Sequence, residues 1–166
     1  MTDTGEMLKI PCVKFERLLP GPIERVWSFL VEPSRLPAWF GDKSTIEPRQ
    51  GGSVNLMDGH IRGVVTQWQP PKKLVYTWNV FSPGETISEY PESYPTFALE
   101  TRGDRVLLTL THFPVLERFE KQNAMGWHTF LDIVGAGIRG ETIAERPVYM
   151  KKNAALYGVD LANLAR

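Results

Sequence analysis

The chain reads as an α+β domain: an antiparallel sheet made of consecutive strands, followed by one long helix near the C-terminus. Three observations predict this. Between about Thr45 and His112, short alternating runs are separated by turn residues, with nothing long enough for a parallel crossover. After Pro114 the apolar residues Phe119, Met125, Trp127, Phe130, Leu131, Val134 and Ile138 recur at helical spacing. Between the first strand and the remaining ones lie two short helical segments.

A strand is predicted first, where Val13, Phe15 and Arg17 alternate with Lys14, Glu16 and Leu18. Pro20-Gly21-Pro22 breaks it. Pro22 suits the first helical position, where a missing N–H costs nothing, and Glu24 complements the positive first turn. Ile23, Val26, Trp27 and Leu30 form the apolar stripe of this helix, and Pro33 ends it. Ser34 to Phe40 reads as a second helical turn carrying Leu36, Trp39 and Phe40.

Gly51-Gly52 predicts a tight turn, and Val54 and Leu56 share a face after it. Asp58-Gly59 is a hairpin-turn dipeptide. The return strand, Ile61 to Gln69, is stopped by Pro70-Pro71. Leu74, Tyr76, Trp78 and Val80 then alternate with Val75, Thr77 and Asn79, which predicts one half-buried strand. Residues 82–95, rich in Pro, Ser, Glu and Tyr, predict a long loop or an irregular edge. Phe97 and Leu99 resume the alternation, Arg102-Gly103-Asp104 turns the chain, and Val106, Leu108, Leu110 and His112 share one face.

Gly126 inside the long helix costs about 1 kcal/mol relative to Ala, so it calls for a close approach to the sheet or a kink over a cavity. Gly135, Gly137 and Gly140 are expected to loosen the helix end. Beyond it, Ala154 to Leu164 has helical character.

Length and composition bound the function. At 166 residues the chain fits a single domain with a sizeable core. Nineteen basic and nineteen acidic residues balance to zero formal charge, and the pI is near 6.8. That balance supplies no electrostatic reason for nucleic acid or an anionic membrane as partner, and Lys72-Lys73 and Lys151-Lys152 read as solvated surface. The single cysteine, Cys12, excludes an intrachain disulfide. No run approaches the roughly 20 apolar residues that span a bilayer, and no signal-peptide pattern stands at the amino terminus. A cytoplasmic protein without integral membrane association is the expectation. A homodimer stays open.

The motif series Pro22-Ile-Glu-Arg-Val-Trp27, Trp39-Phe40, Arg49-Gln-Gly-Gly52, Gly63-Val-Val65, Pro70-Pro-Lys-Lys-Leu-Val-Tyr-Thr-Trp78, Thr109-Leu-Thr-His112 and Gly126-Trp127 covers residues 13 to about 138. In this order it resembles the activator of heat-shock protein 90 ATPase homologue family, a branch of the SRPBCC superfamily of START-like, helix-grip domains. The resemblance implies a curved antiparallel sheet wrapped around the long helix. It divides the chain into a leader of residues 1–9, a helix-grip domain of residues 10–140 and a partly helical tail of residues 141–166 packed on the same domain. The loop 82–95 and the tail match less well.

A helix grip implies a pocket between sheet and helix. Alternation and resemblance together place Trp39, Phe40, Tyr76, Trp78, Phe97, Leu99, Leu108, Leu110, His112, Trp127, Phe130, Leu131 and Val134 on its wall, although an apolar stripe reads the same in a filled core. His112 and Tyr76 are the two groups able to orient a carbonyl or phenol. They are also the two candidates for a catalytic role, set against a satisfied core histidine and a packing tyrosine. His128 and Asp132, four apart on the helix, read as a surface pair. Three dispersed histidines and one cysteine have no metal-ligand spacing, and no nucleophile elbow or Gly-rich phosphate loop is present. No cofactor is expected.

Three functions follow, in this order. The first is binding or carriage of a small hydrophobic ligand, aromatic or lipid-like. The second is a metal-free activity resembling that of the polyketide cyclases and aromatases, which belong to the same superfamily. The third is a role as a co-chaperone or stress-response partner, suggested by the family name. It ranks last because the eukaryotic activators of this family carry an additional amino-terminal domain and this chain has a short leader in its place.

Overall fold

The computed structural model of the protein describes residues 3–166. Among the described residues, eight strands and four α-helices are arranged as the helix-grip α+β fold, with an open curved sheet against a long C-terminal helix. Part of the expected leader, residues 1–2, lies outside the described residues. Residues 5–12 carry neither helix nor strand.

The first strand, β1 (Val13–Pro20), leads into α1 (Ile23–Val31) and the short α2 (Pro37–Phe40). Pro22 sits one position earlier than expected. It is the N-cap of α1, and its carbonyl accepts the first helical bonds, from the N–H groups of Arg25 at 3.1 Å and Val26 at 3.3 Å. Strands β2 (Thr45–Ile46), β3 (Ser53–Leu56) and β4 (Ile61–Gln69) form consecutive antiparallel pairs. The turn from β3 to β4 holds Met57, Asp58 and Gly59 in the left-handed region, and an ion pair of 3.2 Å from Lys43 to Asp58 braces it.

Where one strand was expected across residues 74–80, there are two. Strand β5 (Lys73–Tyr76) pairs with β4, and β6 (Asn79–Val80) pairs with the start of β4. Thr77 causes the break. Its hydroxyl accepts the Val64 N–H at 2.8 Å while its own N–H donates to the Val64 carbonyl at 2.9 Å, so a side chain replaces a backbone partner. A Cβ on Gly63 would stand 1.9 Å from the Thr77 carbonyl oxygen, so this crossing requires glycine. Trp78 then leaves the ladder and makes an isolated bridge to Ser93.

The long hairpin β7 (Tyr94–Arg102) and β8 (Arg105–Phe113) completes the sheet, in the order β1-β8-β7-β5-β4-β3-β2, with β6 beside β4. After a 3₁₀ turn at Glu117–Phe119 comes α3 (Glu120–Arg139). The glycines of α3 act differently from the expectation. A Cβ on Gly126 would meet no atom within 4 Å, so no close approach accounts for it. The close approach is at Gly137, where a Cβ would stand 2.7 Å from the ring of Phe29 on α1. The helix end is closed rather than loosened: Gly140 is left-handed, and the Glu141 N–H donates to the Ala136 carbonyl at 2.9 Å in a Schellman-type cap.

The helix of the tail is α4 (Arg146–Tyr157), earlier than the expected Ala154–Leu164, because a second left-handed glycine, Gly158, ends it. Buried Asn153 joins α4 to α3, donating to Thr129 Oγ1 at 3.2 Å and to Asp132 Oδ2 at 3.1 Å. His128 and Asp132 do pair, at 3.6 Å, but α4 covers them and their side chains are 18% and 19% exposed. Lys152 reaches Asp132 at 3.0 Å and the Tyr157 hydroxyl meets His128 Nδ1 at 2.9 Å, so the expected surface pair is part of a helix–helix seam. Among the described residues no helix is long and apolar enough to cross a membrane.

Candidate functional site

The middle of the grip is filled. Trp39 and Phe40 stack at 3.9 Å between ring centroids, and Trp39 donates its indole N–H to the Phe29 carbonyl at 3.0 Å. Phe130 packs on Phe40 at 4.9 Å and Phe97 on Trp127 at 5.8 Å. Leu99, Leu108, Leu110, Leu131 and Val134 are buried in the same cluster. Arg146 of α4 seals this end, donating to the Trp39 carbonyl at 2.6 Å with its guanidinium over the Phe130 ring. Tyr76 is buried beside Phe97 with no hydrogen-bond partner for its hydroxyl among the described residues, and burial pushes its phenol well above its ordinary pKa.

The open space lies at the other end of the grip. A cavity of about 710 Å³ is bounded by the β6–β7 loop, the 3₁₀ turn, the first turns of α3 and residues 165–166. Met57, Ile61, Trp78, Val80, Val115, Leu116 and Phe119 supply apolar wall. Ser82, Glu89, Tyr90, Ser93, His112, Gln122 and Asn123 supply polar groups. Of the wall residues expected from sequence, Trp78 and His112 line this cavity, while the others surround the filled middle.

Each boundary has a physical support. The β6–β7 loop is held to the start of α3 by the Tyr90 ring packed edge-on to Phe119 at 5.0 Å, with Arg118 over both rings. Glu89 accepts from the Ser82 hydroxyl within the loop. Gln122 bonds residue 165 in both directions, accepting its N–H at 3.0 Å and donating to its carbonyl at 3.4 Å. Trp78 and Ser93 exchange backbone hydrogen bonds of 2.8 and 3.1 Å, which fixes one edge.

His112 stands at the inner end of the cavity and is 2% exposed. Trp127 Nε1–H donates to its Nδ1 at 2.8 Å, and its Nε2 meets Ser93 Oγ at 2.7 Å. An indole N–H can only donate, so Nδ1 must be the acceptor and the ring proton sits on Nε2. The Nε2–H therefore donates to Ser93. Burial lowers the pKa of His112 to about 4, so the ring is neutral near pH 7. This arrangement passes hydrogen-bond donation outward to Ser93. It does not activate the serine, because an Nε2 that already carries a proton cannot take the hydroxyl's.

Ser93 and Asn123 are functional candidates that the sequence reading did not single out. Ser93 was hidden in a polar loop. Asn123 had a signal: it lies four residues before Trp127, on the same helical face, and its Nδ2 comes to 3.4 Å from His112 Nδ1. Among the described residues no group of three or more His, Cys, Asp or Glu side chains gathers as a metal site.

Comparisons with known proteins agree with the fold. CalU16 from Micromonospora echinospora is 26% identical, with 89% of this chain and 86% of that one covered and a TM-score of 0.66. A protein from Bordetella parapertussis, solved by NMR, is 22% identical over 95% of this chain and 92% of its own, with a TM-score of 0.69. An HSP90 activator from Plasmodium falciparum is 20% identical over 79% and 97%, with a TM-score of 0.65. The last two likenesses are of fold alone. A search of curated proteins finds no match. The model of the family described as activator of Hsp90 ATPase homolog 1-like protein matches residues 20–135. The chain therefore belongs to the activator of Hsp90 ATPase homolog 1-like family, within the SRPBCC superfamily.

Proposed function

We propose that the protein binds a small hydrophobic, ring-bearing molecule in the cavity beside Trp78 and serves as a binding or carrier protein. The supporting observation is the cavity itself. Its volume of about 710 Å³ falls in the range of about 300–1,000 Å³ that holds small-molecule ligands, and its wall combines apolar and aromatic side chains with polar groups able to orient a ligand. Trp78 presents a partly exposed indole there, a flat surface suited to a ring. The reading stops at binding because both nitrogens of His112 are engaged and its pKa near 4 leaves it a weak proton acceptor at neutral pH.

The test is native mass spectrometry of protein purified without a stripping step, with thermal-shift screening of aromatic and acyl compounds. Leu116→Trp, which would narrow the cavity by placing an indole on its wall, serves as the comparison. Uptake by the wild type and loss of uptake in a folded Leu116→Trp variant is the expected result. Equal uptake by both would place the ligand elsewhere and overturn the assignment.

A further inference from the structure

Resting on that reading of the cavity, we infer that the Ser93 hydroxyl selects the ligand: it is a hydrogen-bond donor for a carbonyl or similarly accepting oxygen on a planar apolar molecule lying against Trp78. The indole of Trp127 fixes the direction of the hydrogen bonds. Trp127 Nε1–H donates to His112 Nδ1 at 2.8 Å, and His112 Nε2–H donates to Ser93 Oγ at 2.7 Å. The opposite tautomer would set two N–H groups against each other at the indole, so the chain runs one way, from core to cavity. Asn123 Nδ2, at 3.4 Å, does not alter this, because Nδ1 has a single lone pair and the shorter indole bond takes it.

Ser93 Oγ accepts from His112, and its own proton must go onward. The acceptor within the protein is the Trp78 carbonyl at 3.4 Å. That is long for an O–H···O bond, which is ordinarily about 2.5–3.0 Å. The same carbonyl already accepts the Ser93 backbone N–H at 3.1 Å. The hydroxyl is thus polarised by a short bond on one side and poorly served on the other, and successive bonds in such a chain strengthen one another. Ser93 is only 7% exposed yet lines the cavity, so an oxygen placed there would meet a mostly buried donor. A ligand acceptor would complete the relay; a hydrocarbon of the same shape would leave the donor as poorly served as before.

The experiment uses 1-acetylnaphthalene, which carries the acceptor, and 1-isopropylnaphthalene, which matches it in ring and heavy-atom skeleton without one. Affinities of the full chain are measured by equilibrium dialysis for the wild type, Ser93→Ala and Ser93→Thr. One net hydrogen bond gives the wild type about a fivefold preference for the ketone. Ser93→Ala is expected to bring that ratio to one or below, because the ketone oxygen then loses its donor, and Ser93→Thr, which keeps a hydroxyl, retains the preference. Equal binding of both probes by the wild type, or a preference that survives in Ser93→Ala, overturns the inference and leaves the cavity assignment standing. Failure of the wild type to bind either probe overturns this inference together with the aromatic-ligand reading on which it rests.

Discussion

Trp127 donates its indole N–H to His112 Nδ1 at 2.8 Å, joining the long helix to the last strand through a buried polar bond. The bond fixes the histidine tautomer and closes the inner end of the cavity. Trp127→Phe keeps an aromatic ring there but removes the donor and leaves Nδ1 buried without its partner. The expected loss is about 2–3 kcal/mol, combining the unpaired acceptor with the lost ring volume. Urea denaturation measures it, and a loss below about 1 kcal/mol would show that Asn123 substitutes for the indole.

The same histidine makes stability depend on pH. Its folded pKa of about 4 lies below its ordinary 6.5 because burial penalises the charged form. Between those values the unfolded chain binds the proton and the folded one does not. Stability therefore falls as pH drops from about 6.5 to about 4, and this contribution is fully present above 6.5. The window corresponds to about 3 kcal/mol as an order of magnitude. In denaturation series across that range, His112→Gln is expected to have a shallower slope than the wild type. Identical slopes would assign the titration to other groups.

Two glycines of one helix should respond in opposite directions. Gly126→Ala adds a methyl that meets nothing within 4 Å, so helix propensity is the main effect and stability rises by about 0.5–1 kcal/mol. Gly137→Ala drives its methyl to 2.7 Å from the Phe29 ring, and the overpacking cost of about 1–3 kcal/mol outweighs the same gain. Denaturation midpoints of the two variants decide this directly.

Asn153 ties α4 to α3 through Thr129 and Asp132. Asn153→Ala removes both bonds from a fully buried position and is expected to cost about 1–3 kcal/mol. Hydrogen exchange should quicken first across residues 146–157, ahead of the sheet. Uniform change across the whole chain would mean that α4 and the sheet open as one unit.

Much of this architecture is legible in sequence because its punctuation is local. Asp58-Gly59 and Pro70-Pro71 bound β4 at Ile61 and Gln69, and Gly103 turns β7 into β8. Strand alternation shows that Phe97, Leu108 and Leu110 point inward, yet alternation is the same for a filled interior and for the wall of a void. That is why the expected lining covers the whole grip whereas the space lies at one end. The cavity depends on contacts remote in sequence: Trp78 with Ser93, Tyr90 with Phe119, and Gln122 with residue 165. Thr77 is hidden in a similar way, because its role as a substitute backbone partner appears only when β4 lies beside it.

A crystal structure of the protein purified without stripping decides whether the cavity beside Trp78 is the ligand site. The expected result is density for a flat molecule against Trp78, with an oxygen in hydrogen-bond reach of Ser93 Oγ. Ordered water alone in that cavity, or a ligand lodged among Trp39, Phe40 and Phe130 in the filled middle of the grip, would contradict it.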